Sequence, residues 1–327
     1  MKKRLLPLFF IILSIILTGC EAKEATPVTS KSGFYFNTYI AVTIYSQADE
    51  TVLDECMKIA EKYDFLWDKN KETSDIYKIN HAKSEPVTVD ADTIDILNEA
   101  IYYAEFSNGL VDPTIGSVSK LWNFTKKEPA IPDSAILSEA ITHVDYKKIS
   151  LSENTVSLED SLSEIDLGFI AKGYVADKIK DFLLSKGVDE AVINLGGNVQ
   201  TINGRQKNED GSFSPFIVGI ADPSRPNRVI TSVEIIDKSV VTSGSYQRYF
   251  ELDGKLYHHI LDAKTGYPVE NNLSGVSIIG ESSLKCDALS TICFIMGLED
   301  SVDLINSIDG YEAVFVTTDG SLIRTAK

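Results

Sequence analysis

Apolar and polar positions change rhythm repeatedly along the chain. A solid apolar run, LLPLFFIILSIIL, occupies residues 5–17, and a small, polar stretch, EAKEATPVTSKSG, follows at 21–33. FYFNTYIAVTIY (34–45) is rich in aromatic and β-branched residues with alternating character, which predicts a strand. Apolar positions recur at helical spacing over 51–66 and 91–107, and Gly109 suits the end of the second helix. SEIDLGFIAKGYVADKIKDFLLSKG (163–187) predicts a short strand, a glycine turn and an amphipathic helix stopped by Gly187. EAVINLGGNV is a second strand running into a paired-glycine turn. Residues 215–282 are strand-rich, with turns at ADPSRPN, LDGK and DAKTGYP. Residues 283–306 have helical spacing, and YEAVFVTTDGSLIRT closes as a hairpin-like pair of strands. The expected fold class is α+β: a single compact domain over 34–327, its mixed or antiparallel sheet flanked by helices.

The first twenty residues stand apart from that domain. MKKR supplies a positive start, the apolar run follows, and LTGC places small residues directly before Cys20. This is the pattern of a secretory signal peptide over residues 1–19, ending in a lipobox-like site. The apolar run is too short for a comfortable span. Cys20 is then the expected lipidation site, where two acyl chains would anchor the protein stably, and 20–33 the tether.

Composition narrows the partners. The chain has 31 basic and 48 acidic residues, and loss of the leader would remove Lys2, Lys3 and Arg4 from the basic side alone. Such an acidic chain offers no basic footprint to displace counterions, which argues against nucleic acid. With Cys20 acylated, Cys56, Cys286 and Cys293 are left, an odd and sparse set that is no disulfide framework.

Four stretches carry groups capable of chemistry. In DLGFIAKGYVAD, Gly168 permits an unusual backbone angle, and Lys172 and Gly173 open a helix whose N-terminus suits an anionic group. Read alone, the pattern is also that of an ordinary strand–turn–helix with a solvated lysine. NLGGNV either makes a tight turn or bares backbone N–H groups to a phosphate or flavin. TSGSYQRYF and YHHILDAKTGYPV place Ser243, Ser245, Arg248, His258, His259, Asp262 and Thr265 close together in sequence. Strand alternation sends His258 and His259 to opposite faces, so one at most enters a given pocket. In CDALSTICFIMG, Asp287, Ser290 and Thr291 share a helical face. They form a hard-oxygen cluster suited to Mg²⁺, or else a helix-end charge beside two packing residues. Cys286 and Cys293 lie about 10 Å apart along such a helix, too far for a disulfide, and read as core.

Taken in order behind a lipobox, and with VDPTIG (111–116) upstream, these motifs resemble the ApbE family of FAD:protein FMN transferases over nearly the whole mature chain. The resemblance implies a Mg²⁺-dependent enzyme, with one or two ions, that splits FAD. It would attach FMN by a phosphoester to a Thr or Ser of an exported target protein and release AMP. It further implies Asp166 and Lys172 as FAD contacts, with Leu110, Val111, Asp112 and Leu261 beside the nucleotide. The Phe169 carbonyl, Asp287, Ser290 and Thr291 match the metal-ligand positions, and His259 the general base. Phe36–Thr38 replaces a more usual Met-Gly-Thr, and Ser245 stands where an acid or amide is common. Two other readings share these features: a metal-dependent FAD pyrophosphatase, and a lipoprotein that binds FAD without turnover. The family's setting implies lipid anchoring at a bacterial cell membrane, on its outer face or periplasmic side.

Overall fold

A computed structural model describes residues 29–49, 51–122, 124 and 130–325. The leader, Cys20 and most of the tether lie outside them. The first described element shows why periodicity alone misplaced the domain start. Thr29–Tyr35 (β1) and Thr38–Ile44 (β2) pair antiparallel, with Tyr35 opposite Thr38. Phe36 and Asn37 between them both have positive φ, 53° and 56°. This two-residue turn matches the twist of its strands. The single strand expected over 34–45 is therefore a hairpin, and residues 29–33, expected as tether, are its first strand. Strand β1 is mostly exposed along its length, so no inside–outside alternation announced it.

The remaining strands of the principal sheet are Ala191–Leu195 (β3), Asn198–Ile202 (β4), Ser239–Gly244 (β5), Leu273–Gly280 (β6), Glu312–Thr317 (β7) and Leu322–Arg324 (β8). The eight lie side by side in chain order, and every neighbouring pair is antiparallel. The sheet is thus antiparallel rather than mixed. It is a meander interrupted by long insertions, and those insertions carry the helices and the candidate site.

The helices that matter most are Thr51–Trp67 (α1), Ala91–Phe106 (α2), Ala171–Ser185 (α3) and Ser283–Met296 (α4). Gly109 and Gly187 follow α2 and α3 at φ 78° and 75°, the left-handed conformation that stops a helix. The helical run expected over 283–306 is broken at Gly297, whose φ of 90° ends α4 before a separate helix, Leu298–Asn306. Helix α3 packs between α1 and α4. On the α1 side Tyr63 and Trp67 stack at 4.7 Å, and each meets the Tyr174 ring at nearly a right angle. Cys56 is buried in the core shared by α1, α3 and the first strands, and Cys286 and Cys293 in a second core under β5–β7. Burial pushes the Cys56 and Cys293 thiols up to about 12, and Cys286 well above its ordinary value. All three are packing residues, as the helical geometry predicted for Cys286 and Cys293. Among the described residues no helix is long and apolar enough to cross a membrane.

One expected strand is not there. Residues 163–166 contribute a single parallel bridge, Glu164 to Ile115. Ile165 finds its backbone partners in a side chain instead: its N–H donates to Asn80 Oδ1 at 2.6 Å, and its carbonyl accepts from Asn80 Nδ2 at 3.0 Å. The Asp166 N–H goes to the Pro113 carbonyl at 2.8 Å. An extended segment so satisfied needs no ladder, and it carries Asp166 to the mouth of the turn that starts α3.

Candidate active site

Helices α3 and α4 cross at Gly173. A Cβ there would lie 2.4 Å from the Ser283 carbonyl oxygen and 2.7 Å from Asp287 Cβ, so only glycine permits this approach. One turn along α3, Asp177 reaches the N-terminus of α4. Its carboxylate accepts from Ser282 Oγ (2.8 Å), Ser283 N–H (2.9 Å), Leu284 N–H (3.0 Å) and Gln200 Nε2 (2.7 Å). A carboxylate from a neighbouring helix thus serves the free N–H groups of α4.

The crossing also satisfies a free donor. Gly173 is the third residue of α3, so its N–H has no acceptor within the helix. It donates to Asp287 Oδ2 at 2.9 Å, and the Phe169 carbonyl, just before the helix, has no backbone partner among the described residues. Thr291 lies one turn beyond Asp287 on α4, its hydroxyl 3.1 Å from Ser243 Oγ. Asp287, Thr291 and Phe169 all line one cleft. One carboxylate, one hydroxyl and one unpaired carbonyl make a hard-oxygen set that fits Mg²⁺. Among the described residues no group of three or more His, Cys, Asp or Glu side chains is placed to hold a metal ion. Ser290 is placed differently. It is fully buried, its hydroxyl 2.8 Å from Ser243 Oγ and donating to the Asp287 carbonyl at 2.9 Å, and it does not line the cleft.

Lys172 extends from the start of α3 to within 3.5 Å of Asp287 Oδ1, and donates to Asn198 Oδ1 at 3.3 Å. Asn198 belongs to the NLGGNV turn, so two motifs far apart in sequence meet here. Asp166 lies across the same opening. Burial alone would raise its pKa, but the Lys69 ammonium at 2.5 Å, Ser119 Oγ at 2.9 Å and the Gly168 N–H at 3.0 Å hold it down at about 2. Asp112 has both oxygens engaged, one with the Thr114 N–H and hydroxyl and the other with the Tyr146 N–H. Its pKa is raised by burial. Its carboxylate braces the Leu110–Asp112 wall of the cleft.

The two histidines separate as strand alternation requires. His258 is buried, donating from Nε2 to the Val269 carbonyl at 3.0 Å, accepting the Ile260 N–H at Nδ1, and setting its ring against Phe294. His259 lines the cleft. Its Nδ1 is dry and unpartnered, which leaves Nε2 as the nitrogen able to meet a ligand. Burial first, then the Arg248 and His258 charges, push the His259 pKa down to about 3, so the ring of the free protein is neutral. Its strand is fixed by the hairpin Tyr249–Leu252/Lys255–His258, which packs through Phe250 and Tyr257 on Trp122. Trp122 Nε1 in turn donates to the Gly266 carbonyl at 2.8 Å.

The cleft is long. A first basin of about 920 Å³ including its mouth holds Leu110, Val111, Asp112, Phe169, His259, Leu261, Asp287 and Thr291. A second, of about 720 Å³, lies among Phe36, Asn37, Trp67 and Lys69. Asp166, Gly168, Lys172 and Arg248 line both basins and mark their junction. Sequence reasoning did not assign Lys69, Asp177, Asn80 or Arg248 to the site. The first three have no local signature, because each acts on a segment distant in sequence. Arg248 stood in a stretch already dense in polar groups, with nothing to single it out.

Comparison with known proteins identifies the family of the chain. The sequence model of the ApbE family matches residues 36–315. The chain is 33% identical to a FAD:protein FMN transferase of Treponema pallidum (strain Nichols), covering 94% of this chain and 90% of that one. It is also 33% identical to the protein of the same name in Klebsiella pneumoniae (strain 342), over 91% and 92%. Its fold superposes on the crystal structure of the ApbE protein from Thermotoga maritima with a TM-score of 0.82 at 30% identity, over 91% of this chain and 97% of that one.

Proposed function

The chain belongs to the ApbE family and is a flavin transferase, and from that premise we propose that it moves FMN from FAD to a Thr or Ser hydroxyl of a target protein, releasing AMP. The observation that carries this reading is the joined pair of basins. Two nucleotide halves linked by a diphosphate need two recesses and cations where they meet, and Lys172 and Arg248 stand at that junction. The acceptor oxygen bonds to the FMN-side phosphorus, the bond from that phosphorus to the bridging oxygen breaks, and AMP leaves with the electron pair. His259 Nε2 takes the hydroxyl proton. Lys172 offers a positive charge to the diphosphate. Asp287, Thr291 and the Phe169 carbonyl would hold Mg²⁺, which when bound supplies charge neutralisation at the same diphosphate.

In this reading the protein is exported and held at the membrane surface by acyl chains on Cys20, and its targets are exported proteins. The LTGC sequence behind an apolar run supports it. The test of the reaction is AMP release from FAD with and without an acceptor protein. A transferase forms AMP and flavinylated acceptor in equal amounts, and both stop with EDTA or in Asp287→Asn. AMP formed at the same rate without acceptor, and no labelled protein with it, would leave a FAD pyrophosphatase instead.

A further inference from the structure

Three cationic side chains surround the junction, and two of them are occupied. Lys69 is ion-paired with Asp166 at 2.5 Å, and Lys172 lies 3.5 Å from Asp287 and bonds to Asn198. The Arg248 guanidinium has neither a hydrogen bond nor an ion pair among the described residues, although acidic residues outnumber basic ones 48 to 31 in this chain. It is exposed and lines both basins. A lone arginine at a concave junction retains all its donors for a ligand, and its planar fork suits two phosphate oxygens at once.

The backbone around Arg248 adds a second observation. The hairpin pairs Tyr249 with His258, and one step further the His259 N–H donates to the Arg248 carbonyl at 3.1 Å. Arg248 and His259 are therefore cross-strand neighbours in fixed register. A group held by the first is delivered at a set distance from the second. Gln247, the preceding residue, is tied back by Nε2 to the Thr242 carbonyl at 3.0 Å, which steadies the turn that carries Arg248.

We propose that Arg248 is the clamp for the substrate's diphosphate: it grips the phosphates where the two basins meet and sets the FMN-side phosphorus in register with His259. This rests on the flavin-transfer reading and adds to it the residue that discriminates a dinucleotide from an uncharged flavin. The test compares FAD binding to the wild-type protein, Arg248→Gln and Arg248→Lys by flavin fluorescence, with Mg²⁺ present, at low and high salt. Loss of charge-assisted hydrogen bonds to phosphate predicts binding weaker by about ten- to a hundredfold in Arg248→Gln. The salt dependence should also be flatter, because a screened charge has been removed. Arg248→Lys should recover the salt dependence but only part of the affinity, since a point charge replaces a fork. FAD bound equally well by the wild-type protein and Arg248→Gln, with equal salt dependence, overturns the clamp and leaves the transferase reading standing. A weakening in Arg248→Gln with unchanged salt dependence also overturns it, as the mark of a structural role. Failure of the wild-type protein to bind FAD overturns the underlying reading and the clamp together.

Discussion

Two adjacent histidines have opposite surroundings, and the difference defines what each can do. His258 has both ring nitrogens engaged, whereas Nδ1 of His259 is buried without a hydrogen-bond partner. Replacing His259 by Ala should lower transfer by at least about a hundredfold while FAD still binds, measured by turnover alongside equilibrium binding. The same residue gives a pH prediction. Its pKa falls from 6.5 to about 3 on folding, under burial and the Arg248, His258 and Lys172 charges. Between those values the unfolded chain binds a proton that the folded one refuses, so stability declines as pH falls from 6.5 towards 3. Thermal melts of His259→Gln should show a shallower decline over that window. In the free enzyme the base is already neutral, so kcat/KM for FAD should show no acid limb near 6.5. A limb there would mean that His259 is solvated and ordinary.

At the scale of elements, the contact between α3 and α4 holds the site together. Gly173→Ala would drive a methyl into the Ser283 carbonyl, which should cost about 1–3 kcal/mol and lower the thermal midpoint. It should also weaken the Mg²⁺ dependence of turnover, because Asp287 is displaced with α4. Asp177→Ala strips four donors of their acceptor and should destabilise by more than about 2 kcal/mol, read in a denaturant melt. A melt unchanged in either variant contradicts this view of the crossing. Much of α4 was legible in sequence: helical spacing put Asp287 and Thr291 on one face and left the cysteines to the core. The same spacing gave Ser290 equal standing, because it cannot distinguish the cleft wall from the buried seam behind it. The hairpin at Phe36–Asn37 was hidden because Phe36, a bulky residue at positive φ, stands where a turn residue is usual, so Asn37 alone did not interrupt the aromatic and β-branched run. The extended 163–166 segment was read as a strand because its pairing is with Asn80, which no local pattern reveals.

The whole molecule is an antiparallel meander whose insertions supply the site: α1 and α3 before β3, the histidine hairpin before β6, and α4 before β7. Residues brought to one cleft are therefore scattered along the chain, and only the resemblance of several motifs taken together made the cleft visible in advance. If Cys20 carries the anchor, the protein should incorporate labelled fatty acid in cells and Cys20→Ala should not, while turnover of the purified protein is unchanged. Equal incorporation by that variant would contradict lipid attachment there. The central claim is group transfer, and the intact mass of an acceptor protein tests it most directly. After incubation with the enzyme, FAD and Mg²⁺, the acceptor should gain one FMN on a single Thr or Ser, with AMP appearing in equal amount. An acceptor of unchanged mass while FAD is consumed to FMN and AMP would contradict it.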